Sequence, residues 1–592
     1  MGNNFKIPGI SAEDLSGPKI DRRTTIKLLA ASGMAGLAGC LGDDSDDSAP
    51  GDDTDDHTPD DESDLSGGTL NAASLRGEWE NLEPLYINES QIQRWLRNWS
   101  HGALKTDGNL EITSEIAEDW EVQTDPFSVT FDLREDVRFH NGKEVLAEDF
   151  VYGTERSANH PETVILGETS FLQDPIDGQG VEVLDDYRVR YNYKQPYAPA
   201  LVDLTTRGRV ATPLDQEAVE EMGDDAHSLE PVGTGPFEVV EHVPGDFVRF
   251  EAFDDFYQTD DDGNSLPYLD EIRVDFIPEN ETAISAMLTG EIEFLDGVPQ
   301  GQIEQLQDAG NVQLEIAPML RYEGLVLNHA REFADTPEKR RAIAKLIDND
   351  DFVERALGGN GTPLTGPITP THGWLSREEF SEEGAEPGGE LKDPTQRFDP
   401  EGAMELIESE GLEGASFTIE TTSANERNAR VVRNQIETNS DGMIEVEVSL
   451  ITDAQLGNLL NDPHPFDATF LGGGGPDPDG MMYNFWRLPP GDKHPELVDE
   501  GLSGPEEEGF DGIWNHERFT NERVHELLGE QRTLIDRDER REAIWEIEDI
   551  CIRDVARAFL SVDDNATGLG ENIRNFTYRD ENQDLDDVWL DE

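Results

Sequence analysis

The sequence predicts an α/β fold divided among two or three domains, and three observations carry that expectation. At 592 residues the chain exceeds what one hydrophobic core ordinarily serves. Hydrophobic residues make up 35% of it, enough to pack cores beneath a large polar surface. Between residues 237 and 294, short alternating runs bracket a helical run, the strand–helix–strand order from which α/β units are built.

The N-terminal 67 residues read as an address and a tether. Arg22-Arg23 precede the apolar, small-residue run Ile26–Ala38, which falls short of the about 20 residues a membrane span requires. A charged segment, a short apolar segment and small residues before a cleavage point describe a signal peptide. The paired arginines point to the twin-arginine route. Leu37-Ala38-Gly39-Cys40 is similar to a lipobox, so residues 1–39 are expected to be removed and the Cys40 thiol to accept lipid. Residues 43–64 hold 12 acidic side chains and no Lys or Arg. Such a stretch cannot bury enough apolar surface to order itself, so residues 40–67 are expected to form an extended tether. The body would then sit at the outer face of the cytoplasmic membrane.

The charge is lopsided throughout: 130 Asp and Glu against 45 Lys and Arg, a net charge of −85, with only 10 lysines among the basic residues. Self-repulsion on this scale needs screening, and at molar salt the Debye length is about 3 Å. The composition is that of a halophilic protein, and it excludes nucleic acid as a partner, since a polyanion would be repelled. With Cys40 and Cys551 alone, neither a disulfide framework nor a cysteine zinc site can be built. The 12 histidines show no metal spacing, and Asp260–Asn264 lacks the closing glutamate of a calcium loop. No metal and no cofactor is expected. Asn88, Asn98, Asn280, Asn360, Asn565 and Asn575 stand in glycosylation sequons.

From Gly68 onward the elements follow in order. Thr69–Ala72 reads as a strand, and Gln91–Leu104 as a helix from Ile92, Trp95, Leu96 and Trp99. Asp107-Gly108 marks a turn; Ile116–Val122 and the alternating Ser128–Leu133 follow it, and a helix begins at Ala147. Gly233–Phe237 forms a tight turn feeding a strand over Phe237–Val243, with further strands at Phe247–Phe250 and Ile272–Ile277. Glu281–Leu288 is a helix with Thr282 as its cap, and Ile292–Phe294 a strand. Gly324–Asn328 is a strand and Pro337–Leu357 one amphipathic helix. Helices are expected at Glu401–Ser409, around Arg427–Thr438, at Asn521–Leu534 and at Asp538–Ala558, with strands at Phe417–Thr421, Ile444–Leu450 and Phe466–Leu471. Cys551 falls in the helical run Arg540–Arg557 as a buried small residue.

Five stretches in this order resemble the peptide- and nickel-binding family of extracellular solute-binding proteins of ABC importers. They are residues 104–156, with "DVRFHNGKEVLAEDFVYGTER", 231–257, with "PVGTGPFEVVEHVPGDFVRFEAFDDFY", 267–299, 325–368 and 398–412. The resemblance implies a bilobal, periplasmic-binding-protein-like (type II) fold with an additional inserted domain and a hinge-closed ligand cleft. Lobe I would comprise 68–100, 231–318 and 556–592, the inserted domain 101–230, and lobe II 319–555. It implies capture of a peptide or other small solute outside the cell, and delivery to permease subunits served by separate ATPase subunits. The chain itself would act as a monomer held to the membrane by the lipid on Cys40.

In peptide-binding relatives, the loop after the strand here at 466–471 supplies an aspartate that pairs with the peptide's amino terminus. That position falls at Gly474, within Gly472–Gly475, and a preceding aromatic falls at Leu471. The pocket candidates are therefore Asp477, Asp479, Tyr483, Asn484 and Trp486, with Leu471 and Gly474 at the altered positions. Arg321 and Tyr322 precede the crossover strand. Gly233, Gly235 and Pro236 are expected to shape a turn only. The alternative functions are a secreted hydrolase and a surface adhesion lipoprotein. The sequence has no nucleophile elbow, P-loop or zincin helix, so no enzyme is expected.

Overall fold

A computed structural model describes residues 67–591 apart from 88, 175–178, 376–397, 462–465, 488–514 and 580–581. The signal (Arg22, Arg23), the lipobox with Cys40, most of the tether and the Asn88 sequon lie outside the described residues.

Among the described residues, one mixed sheet of eleven strands runs through the molecule. From one edge its strands are Ile444–Leu450, Ala415–Thr421, Ala468–Gly474, Val312–Leu327, Ala558–Gly570, Phe294–Asp296, Thr69–Ser74, Glu271–Phe276, Phe247–Ala252 and Phe237–Val243; Gly361–Pro363 pairs with Ala558–Gly570 off this path. At one end, Leu325, Ile343, Phe352, Ile419, Val432 and Phe470 belong to a common core with the helices flanking the sheet. At the other end the core is aromatic: Trp79, Trp95, Trp99, Phe250 and Phe276, with Trp79 edge-on to Trp95 at 5.5 Å. Ile573, Phe576, Leu585 and Val588, from the C-terminal part of the chain, close this core. A separate four-stranded antiparallel sheet (Ala117–Thr124, Phe127–Leu133, Arg188–Asn192, Val181–Asp185) packs with the Ala147–Asn159 helix around Phe131, Phe150 and Tyr191.

Several expectations change. Pro337–Leu357 is two helices, Pro337–Lys345 and Asn349–Leu357, because Asp348 takes an extended backbone and its Oδ1 accepts the Asp351 N–H at 3.1 Å, starting a new helix. The Gln91–Leu104 helix covers only Ser90–Trp95 and a following turn of 3-10 helix, since Leu104 is already in a strand. Thr282 is not a cap: its helix begins at Asn280, after Glu279. The last helix stops at Arg553, where Val555 adopts φ 47°, and the chain enters the 13-residue strand Ala558–Gly570, for which no strand was anticipated.

The expectations for Cys551 and for the Gly235 turn stand, and that for the Asn98 sequon does not. Cys551 is fully buried and burial pushes its thiol well up, away from reactivity. Gly235 sits so close to Trp99 that a Cβ there would lie 2.6 Å from the Trp99 carbonyl carbon, so this turn requires a residue without one. Asn98 is buried, donates to the carbonyls of Trp95 and Gln583 at 3.0 and 2.8 Å, and accepts from the Leu585 N–H, which removes it as a glycosylation site. Among the described residues no helix is long and apolar enough to cross a membrane.

Candidate functional site

The long strands Val312–Leu327 and Ala558–Gly570 lie side by side, and their register breaks at Pro318. Pro318 faces Asp564 and Tyr322 faces Val562, so Met319, Leu320 and Arg321 stand opposite a single residue. Proline has no N–H to give the ladder, which favours an irregularity at that point. Beyond the break the strand acquires a second neighbour, Arg321 pairing with Gly474 and Tyr322 with Gly473. The three residues of the break line a cavity of about 530 Å³.

One wall of this cavity is the end of the Ala468–Gly474 strand with the helix Pro478–Trp486. The strand continues three residues past its expected end, through Gly472, Gly473 and Gly474. A Cβ on Gly474 would lie 2.4 Å from the Leu320 carbonyl oxygen and 2.7 Å from the Arg321 Cβ. Neither an aspartate nor any other side chain fits there while the strands stay paired.

Asp477 starts the helix, its Oδ1 accepting the Asp479 N–H at 2.8 Å. Burial pushes its carboxyl up, but a bidentate grip by Arg540, at 2.8 and 2.6 Å, outweighs this and holds it below the ordinary value. Asp479 is gripped in the same way by Arg532, at 2.8 and 2.6 Å, and accepts from Gln531 at 2.5 Å. The Arg532 guanidinium also lies 3.0 Å from the centre of the Tyr483 ring and 4.8 Å from that of Phe171.

Phe171 belongs to the other wall, which is built from residues of 168–171 and 197–209. It stacks on Tyr197 with ring centres 4.1 Å apart, and the Tyr197 hydroxyl donates to Asp203 Oδ2 at 2.9 Å. Burial, and then the charge of Glu168, push the Asp203 carboxyl well above its ordinary value. Arg209, with a left-handed backbone at φ 66°, donates to the Pro84 and Ile87 carbonyls, and burial lowers its guanidinium to about 10. Arg94, on the Ser90–Trp95 helix, completes the lining and pairs with Asp296 at 3.1 Å.

The expected residues divide accordingly. Arg321, Leu471, Gly474, Asp477, Asp479 and Tyr483 line the cavity. Tyr322 and Trp486 face away from it into a core around Phe559, where the Tyr322 hydroxyl donates to the Met481 carbonyl at 3.2 Å. The Asn484 side chain lies outside the described residues. Phe171, Tyr197, Asp203, Arg209 and Arg532 were not anticipated. They come from segments distant in sequence, with no motif to link them to the glycine-rich strand. Six arginines line the cavity against four acids, reversing the acidic balance of the whole chain.

The glutathione-binding protein GsiB of Salmonella paratyphi A is 26% identical over 290 residues, which is 49% of this chain and 54% of that protein. GsiB of Pectobacterium atrosepticum is 25% identical over 288 residues. The chain spans about half the length of these curated relatives. Among solved structures, the periplasmic binding protein DppA of Helicobacter pylori in complex with the peptide STSA superposes with a TM-score of 0.69 at 21% identity, over 90% of this chain and 99% of that one. The oligopeptide-binding protein AppA of Bacillus subtilis in complex with a nonapeptide gives 0.68 at 20%, over 89% and 100%. These likenesses establish the type II periplasmic-binding-protein fold. The model of bacterial extracellular solute-binding proteins, family 5 middle, matches residues 111–492, more than half of the sequence, and the chain belongs to that family.

Proposed function

We propose that this protein is the substrate-binding component of an ABC importer, capturing a peptide or other small solute outside the cell and passing it to permease subunits driven by separate ATPase subunits. The observation that carries the reading is the cavity of about 530 Å³, lined on one side from 168–171 and 197–209, on the other from 471–487, and between them by the strand break at 319–321. A volume of this size suits a ligand of a few residues. The lobes are 68–100 with 231–318 and 556–592, and 319–555, with 101–230 inserted in the first. Ligand stabilises the closed arrangement to the extent that it binds that form more tightly. The site binds without turnover, and the protein acts as a monomer in strong brine, tethered through lipid on Cys40 after a twin-arginine signal.

Peptides head the candidate solutes because two structural neighbours hold them and curated relatives bind glutathione. The test is calorimetric titration in multimolar KCl with glutathione, the peptide STSA, a nonapeptide and nickel–histidine. Saturable one-to-one binding with the ligand recovered intact supports the proposal. Hydrolysis of a probe, or no binding by any of them, rejects it.

A further inference from the structure

The acids of the cleft form two groups. Asp477 and Asp479 are each closed by a bidentate arginine, Arg540 and Arg532. Asp203, on the opposite wall, has no such partner: among the described residues its carboxylate accepts one hydrogen bond, from the Tyr197 hydroxyl, and pairs with no cation. Arg209, on the same turn, directs its guanidinium to the Pro84 and Ile87 carbonyls instead. Glu168, also in the lining, adds a second negative charge close enough to act on Asp203.

A carboxylate enclosed by protein is unfavourable unless something compensates it. Here it opens onto the ligand cavity, with one oxygen oriented by a tyrosine that is itself held by stacking on Phe171. The opposite wall cannot supply a competing acid: Gly474 has no room for a side chain, and Asp477 and Asp479 are already neutralised.

We propose that Asp203 is the anchor for a positively charged group of the ligand, a primary ammonium or a guanidinium, with Tyr197 as its positioning residue. The inference rests on the solute-binding function proposed above and narrows it to ligands that carry such a group. Ligand binding then supplies the cation that the ligand-free protein lacks.

The experiment uses the tetrapeptide STSA and glutathione, each with its amino group free and acetylated, titrated in multimolar KCl into the unchanged protein and into Asp203→Asn. The expected result is that acetylation weakens binding to the unchanged protein by roughly tenfold or more. Asp203→Asn should weaken the free-amine probe by a similar factor and change the acetylated one little, the signature of a direct pairwise interaction. The ligand-free Asp203→Asn protein should melt no lower than the unchanged one, because the substitution removes an uncompensated carboxylate. Equal binding of free and acetylated probes by the unchanged protein overturns the inference without recourse to any variant. So does an Asp203→Asn protein that binds the free-amine probe as tightly as before, or that weakens both forms equally; in all these cases solute binding itself survives. If no probe binds the unchanged protein, the functional proposal and this inference fall together.

Discussion

Arg532 takes both oxygens of Asp479 at 2.8 and 2.6 Å while its guanidinium lies 3.0 Å from the centre of the Tyr483 ring and 4.8 Å from that of Phe171. One side chain at the end of the Glu522–Thr533 helix thereby ties together Phe171 and Tyr483, on opposite walls and more than 300 residues apart in sequence. The pair is nearly enclosed, with side-chain exposures of 11% and 9%.

Removing one partner of such a pair strands the other. Asp479→Ala should destabilise the protein by about 3–5 kcal/mol and weaken solute binding, whereas the joint change Asp479→Leu with Arg532→Met should cost much less. Urea unfolding at constant KCl distinguishes the two; equal losses would show that the pair acts through shape alone.

Gly474→Asp introduces an aspartate where the family resemblance leads one to expect it, yet it should not supply an anchor for a ligand's amino group. With the Leu320 oxygen 2.4 Å from the new Cβ, the strand pairing must yield, at a cost of about 2 kcal/mol or more. A melting curve lowered with no gain in affinity for free-amine peptides is the expected outcome. A gain without destabilisation would mean that the strand shifts cheaply.

His140 accepts the Gly233 N–H at its Nδ1 at 3.2 Å and directs Nε2 to the Gly235 carbonyl at 3.1 Å, an arrangement that suits the neutral ring. Burial lowers its pKa to about 4. The unfolded chain therefore takes up a proton near pH 6.5 that the folded protein refuses, and stability falls as pH drops from there toward 4. The contribution is roughly 2–3 kcal/mol. In a comparison of unfolding free energy across this window, His140→Gln should show a shallower slope than the unchanged protein. Identical slopes would place the titration elsewhere.

Asn98→Ala should release the segment that Asn98 holds through the Gln583 carbonyl and the Leu585 N–H. A loss of about 2 kcal/mol is expected from the stranded backbone groups. Hydrogen exchange should speed up first over residues 583–590, and uniform exchange across the molecule would contradict this.

The strands over 237–243 and 444–450 stand at their expected limits, since alternating side chains that bury one face report themselves locally. The Pro337–Leu357 run shows where local reading stops. Its apolar spacing continues through two helices, and the capping bond at Asp348, which divides them, depends on a backbone angle that the spacing does not express. The long strand Ala558–Gly570 was missed because it gains its place from neighbours on both sides, Val312–Leu327 and Phe294–Asp296.

The same division holds at the site. The sequence by itself determined that the glycine-rich stretch after Leu471, with Asp477 and Asp479 beyond it, lies at the pocket. Only the tertiary structure decided that both acids are closed by Arg540 and Arg532, that Tyr322 and Trp486 turn into a core, and that Asp203 faces the cleft without a cation. The reason is physical. Periodicity and turn chemistry act between residues a few positions apart. The charge state and partner of a carboxylate depend on which distant segments the fold packs against it, and on how much water that packing removes.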